Sequence, residues 1–145
     1  MKKLLLIVFL VSTGLFAQGE RHKKIKALKT AYITEQLNLS SEEAEKFWPI
    51  YNDFDAKMTT LRKEERRDIF EKIRMGMDAM SDEEANQLLD KVIAFKSMEL
   101  QYNTEMVQGL RKVLSPKKII KLKKVEEDFK RQLLERFRDR KNRRD

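Results

Sequence analysis

Apolar residues in this chain recur every three or four positions, the period of a helix face rather than the alternation of a strand. The clearest run is Ala44, Phe47, Tyr51, Phe54, Met58 and Leu61, whose spacings predict one long seam of coiled-coil type. Just before it, Ser40 with Glu43 three residues later forms a capping box, in which each side chain satisfies an orphan backbone amide at the helix start. Glu42, Glu43 and Glu45 also suit the positive end of the helix dipole. Pro49 falls inside this helix and removes the amide that would bond the Glu45 carbonyl, so a kink is expected there. Residues 62–68 are all charged and break the seam, which Ile69, Phe70, Ile73 and Met77 resume.

The other segments follow the same grammar. An amphipathic stretch over 20–37 places Ile25, Leu28, Tyr32, Ile33 and Leu37 on one side. Ser81 and Glu84 form a second capping box ahead of a third helix. Its seam is Ala85, Leu88, Val92, Phe95, Tyr102, Met106 and Val113, which Leu89, Ile93, Leu100, Val107, Leu110 and Leu114 widen toward two neighbours. Ser115 as cap and Pro116 at the first helical position open a fourth helix, with Ile119, Leu122, Val125, Phe129, Leu133 and Phe137 facing inward. Residues 138–145 hold no apolar side chain and are expected to form a basic, disordered tail. The predicted class is all-α, with about four helices. The second and third would each run about 50 to 57 Å at the helical rise. Those lengths suit an elongated, bent helical hairpin, and its poor surface-to-volume ratio points to a homodimer.

The N-terminus changes the picture of where such a protein works. Lys2 and Lys3 precede an apolar run over 4–11, then Ser12, Thr13 and Gly14 lead to Leu15, Phe16 and Ala17. A basic start, an apolar stretch short for a bilayer span and a small residue at the cut predict a secretory signal over 1–17, cleaved after Ala17. An uncleaved anchor is the alternative, whereas lipoprotein processing needs a cysteine and the chain has none. The expected location is the periplasm, with a single domain over 18–137. Without cysteine, disulfide staples, thiol chemistry and Cys-based metal or haem sites are ruled out.

Charge is unevenly placed. The formal net charge is +8, and residues 115–145 hold 13 basic and 6 acidic side chains, whereas residues 18–114 hold 17 and 18. A basic protein suggests nucleic acid first, but an exported one rarely meets any. Acidic unfolded polypeptides and anionic envelope lipids, the latter met by the C-terminal basic segment, fit better.

Catalytic chemistry fails on inventory. His22 is the only histidine and sits in the polar start of the first helix. No glycine-rich phosphate loop, histidine cluster or nucleophile with a rigid base is present. No enzyme activity, resident metal or cofactor is expected. Two features could bind a polypeptide. Met75, Met77 and Met80 stand beside Phe70 and Ile73, and flexible, polarisable methionines suit varied apolar partners. Arg62, Lys63, Arg66 and Arg67 supply positive charge close by. The plainer readings are packing at a helix end for the first and a solvated face, paired to Glu64 and Glu65, for the second.

Two of the helix starts carry a further signal. Leu39, Ser40 and Glu43, in the context LSSEEAEKFWPIYNDF, and Leu114, Ser115 and Lys118 resemble two copies of the LTxxQ motif. That motif marks the Spy/CpxP family of periplasmic envelope-stress proteins, and the context is similar to members described as sensors of extracytoplasmic-function sigma factors or periplasmic heavy-metal sensors. The likeness covers about 20–137. Serine stands for threonine in both copies, and Glu43 and Lys118 stand where glutamine belongs, which bears on the family's polar contacts between motifs. The histidine ligands of the metal-sensing branch are missing. The resemblance implies a dimeric helical cradle with a positive, partly apolar concave face. It also implies an ATP-independent chaperone or, alternatively, a stress sensor or adaptor regulating one membrane signalling partner.

Overall fold

The structure, a computed structural model, describes the backbone over 2–143 and side chains over 19–140 together with 142 and 143. The expected secretory signal and its cleavage point therefore lie outside the residues with described side chains, as do the last two residues of the expected tail. Among the described residues the fold is all-α, without strands. Four helical runs follow one another: α1 (Lys2–Gln36); α2 (Ser41–Glu65), continued by a π-turn at Arg66–Phe70, α3 (Glu71–Gly76) and a 3₁₀ turn at Met77–Ala79; α4 (Asp82–Leu110); and α5 (Pro116–Asn142). None of these helices has a described stretch long and apolar enough to cross a membrane.

The chain forms two compact units, one made of the segment up to Leu39 with that from Ile120, the other of Ser40–Ile119. In the second unit α2 and α4 make an antiparallel helical hairpin. The predicted α2 seam is its core: Phe47, Tyr51, Met58 and Leu61 are at most 5% exposed, and Ala44 and Phe54 are half-buried. Phe47 stacks on Tyr51 with centroids 5.3 Å apart, and Trp48 meets both rings edge-on. Met58, Leu61, Ile69 and Phe95 close the far end, with Leu88, Val92, Met98 and Tyr102 packed around them. Toward the opposite, open end of the hairpin, Gly109 lets the helices approach: a Cβ there would lie 3.1 Å from Ile50 Cγ2. Lys57 of α2 bonds Asp53 at 2.8 Å and Glu105 of α4 at 3.3 Å. Its pKa is raised, chiefly by Asp53 and then by Glu105.

The π-turn explains how the seam survives the charged run. Counting on from Leu61 in steps of four and three would bring Glu65 and then Asp68 inward. A π-turn adds one residue to the turn, shown by the Glu71 amide bonding the Arg66 carbonyl. Ile69 thereby takes the inward place and is 3% exposed. Gly76, with φ 156° and ψ 78°, ends the run in a conformation that residues bearing a Cβ rarely adopt.

In the other unit α1 and α5 run antiparallel. Ile33, Leu37, Leu122 and Val125 are buried, and Tyr32 packs against Phe129 with centroids 5.6 Å apart. The Tyr32 hydroxyl accepts from Gln132, and Lys121 donates to the Gln36 carbonyl. α1 ends in a Schellman motif that the sequence reading does not flag. Asn38 adopts φ 47°, Leu39 N–H bonds the Thr34 carbonyl at 3.1 Å, and Asn38 N–H bonds that of Glu35 at 3.0 Å.

Three expectations shift. The stripe on α4 does not widen as predicted: Leu89, Ile93 and Leu100 are 60 to 69% exposed, while Leu110 and Leu114 are buried. α4 meets α2 and the π-turn through Leu88, Val92, Phe95 and Tyr102, and the three exposed residues lie about 100° further round the helix. Leu28 and Phe137, expected inward, are 46% exposed. α5 continues to Asn142, past Phe137, its last apolar residue, because Lys and Arg favour a helix without needing a core to cover them.

Candidate functional site

Each helix-start motif is built as its sequence predicts. Ser40 Oγ accepts from Glu43 N–H at 3.1 Å, and Glu43 Oε2 accepts from Ser40 N–H at 2.9 Å. Ser81 and Glu84 repeat the arrangement at 3.2 and 2.9 Å. Ser115 caps α5 one-sidedly, accepting from Lys118 N–H at 3.4 Å, because Lys118 has no acceptor to return to the cap amide.

Lys118 turns outward from its own cap to the other motif. Its Nζ donates to Glu43 Oε2 at 2.6 Å, and the two side chains are only 28% and 25% exposed. One carboxylate oxygen thus serves the Ser40 amide and the Lys118 ammonium together. The Lys118 bond, and after it the Ser40 amide, hold the Glu43 carboxyl below its ordinary range. The two non-glutamine residues of the motifs are brought together as an ion pair that ties the start of α2 to the start of α5. Leu114 of the same unit is buried; Leu39, in the other unit, is half-buried.

The polypeptide-binding candidates lie on the run from the end of α2 to the 3₁₀ turn. Arg62, Lys63, Arg66 and Arg67 are all exposed. The pairing is not the one expected with Glu64 and Glu65. Arg67 binds Asp68 at 2.7 Å, which raises the Arg67 pKa and lowers that of Asp68. Arg62, Lys63 and Arg66 form no ion pair among the described residues. Met75 and Met77 are 84% and 65% exposed and Phe70 is 59% exposed, so helix-end packing does not account for them. Met80 is half-buried beside the Ser81 cap.

Spacing divides these residues between two sides of the run. Arg62, Arg66, Phe70 and Arg74 recur every four residues, with Ile73 close by, and share one side, whereas Met77 lies beyond the break at Gly76. Lys63, Arg67 and Met75 lie round from them. The first side alternates free guanidinium groups with exposed apolar surface; on α4 of the same unit Leu89, Ile93 and Leu100 are also exposed. Sequence reasoning missed Phe70 and the α4 trio as exposed groups, because periodicity marks an apolar stripe without saying what covers it.

His22 is exposed on α1, and among the described residues no three metal-ligating side chains converge. Comparison of the chain with known protein families, with curated proteins and with solved structures finds no match.

Proposed function

We propose that this is an exported, non-enzymatic protein of the periplasm that binds unfolded or stress-exposed polypeptides without nucleotide, as a homodimer. The observation that carries the reading is the side formed by Arg62, Arg66, Phe70 and Ile73, where unpaired cations stand beside apolar groups left in water. Exposed apolar patches mark interaction surfaces, and a flexible Met and Phe surface adapts to many apolar shapes. Neighbouring cations would draw in acidic segments and leave the apolar contacts to hold them. The resemblance of the two capped starts to LTxxQ motifs and the signal-like residues 1–17 support the same reading.

Aggregation assays with several unrelated denatured clients test it. Suppression across clients, without ATP, is the expected result. Suppression of none, with tight binding of one envelope partner instead, would make the protein a sensor or adaptor for a signalling pathway.

A further inference from the structure

The outward side of α5 takes no part in the surface just described. The helix carries 11 basic and 5 acidic residues, and its inner side is spent on Leu122, Val125, Phe129 and Leu133. Directly opposite, Ile120, Lys124, Glu127, Arg131, Leu134 and Arg138 recur at spacings of 4, 3, 4, 3 and 4, a straight line along one side. Ile120 is 74% and Leu134 60% exposed. Between them Asp128, its side chain 20% exposed, bonds Lys124 at 2.6 Å and Arg131 at 2.7 Å. Those bonds hold the Asp128 carboxyl below its ordinary range, Lys124 being the leading cause. One tucked carboxylate therefore braces two cations while cancelling only one of them. Lys123, Lys130 and Glu135 are exposed on the flanks, so with Glu127 on the line and Asp128 beside it five cations face three carboxylates.

We infer that this line of α5 is a peripheral docking surface for an anionic lipid bilayer. Charge complementarity names the sign of the partner, and the two isolated apolar residues name its kind. A nucleic acid or an acidic peptide offers Ile120 and Leu134 no acyl boundary to enter, whereas a bilayer meets cations with headgroups and apolar tips with the layer beneath. Two tips insert too little to hold the protein alone, so attachment is electrostatic and reversible, and it weakens as salt screens the headgroups.

Co-sedimentation of the full chain with phosphatidylglycerol–phosphatidylcholine vesicles tests the assignment, with pure phosphatidylcholine vesicles as reference. A chain beginning at Gln18 is run beside it, because Lys2 and Lys3 would add their own preference for anionic vesicles. Binding that is salt-sensitive and specific to anionic vesicles is expected. The triple substitution Lys124→Gln, Arg131→Gln, Arg138→Gln should weaken it about a hundredfold, roughly fivefold per cation. The pair Ile120→Ser, Leu134→Ser should weaken it severalfold with the salt dependence unchanged. Circular dichroism must show wild-type helicity, and Arg62→Gln with Arg66→Gln serves as a basic-patch control that should leave vesicle binding intact. Equal binding to both vesicles, or no loss in either α5 variant, overturns the proposal. So does binding to duplex DNA or polyglutamate as firm as to vesicles and indifferent to the serine pair.

Discussion

Ser40→Ala removes one acceptor and leaves the Glu43 amide, at the third position of α2, without its partner at 3.1 Å. The reciprocal bond from Ser40 N–H to Glu43 survives, since it uses the backbone of residue 40. The loss is therefore one cap bond, worth about 1 kcal/mol. Unfolding entropy of about 2 cal/mol/K per residue over 145 residues turns 1 kcal/mol into a melting shift of about 3 to 4 °C. Ser81→Ala loses an equivalent bond at 3.2 Å and should fall by a similar amount. Ser115→Ala loses a bond of 3.4 Å with no reciprocal partner, so its fall should be the smallest of the three. Thermal melts followed by circular dichroism measure all three on one scale. An unchanged melting temperature for Ser40→Ala, or a larger fall for Ser115→Ala than for Ser40→Ala, would refute the reasoning from cap geometry.

Other consequences follow from the same contacts. Glu43 and Glu84 are both held below their ordinary range, Glu43 first by Lys118 and Glu84 first by the Ser81 amide. A depressed folded pKa gives stability that is present above the unfolded value and lost as pH falls through the folded one. The melting temperature should hold near neutrality and decline below about pH 4, with a shallower decline in Glu43→Gln. Asn38→Val should cost about 1 to 2 kcal/mol, because a β-branched residue must take up φ 47°, whereas Asn38→Gly should be close to neutral in chemical denaturation. Leu110, wholly buried, should cost about 3 kcal/mol when cut to alanine.

Much of the fold was legible because helix starts announce themselves. Ser40, Ser81 and Ser115 all sit where their caps were expected, and the α2 seam from Phe47 to Leu61 faces the core as its spacing predicts. The π-turn was not legible, since the insertion that rescues Ile69 at Asp68's expense depends on packing against Phe95. Nor was the Glu43–Lys118 pair: two charged residues 75 positions apart look independent until the fold sets them 2.6 Å apart. For the candidate site, the basic residues and methionines were readable by type. Which of them remain exposed was not, because a stripe such as Leu89, Ile93 and Leu100 has the same period whether covered or bare.

The central claim is that the side formed by Arg62, Arg66, Phe70 and Ile73 holds polypeptides by charge for capture and by apolar contact for retention. Stopped-flow capture of an unfolded client at low and moderate salt measures both. Replacing Arg62 and Arg66 by Gln should slow capture and shrink its salt sensitivity. Replacing Phe70 and Ile73 by Ser, with helicity verified as wild type, should speed release and leave the salt response unchanged. Capture and release rates equal to wild type in both variants would contradict the account.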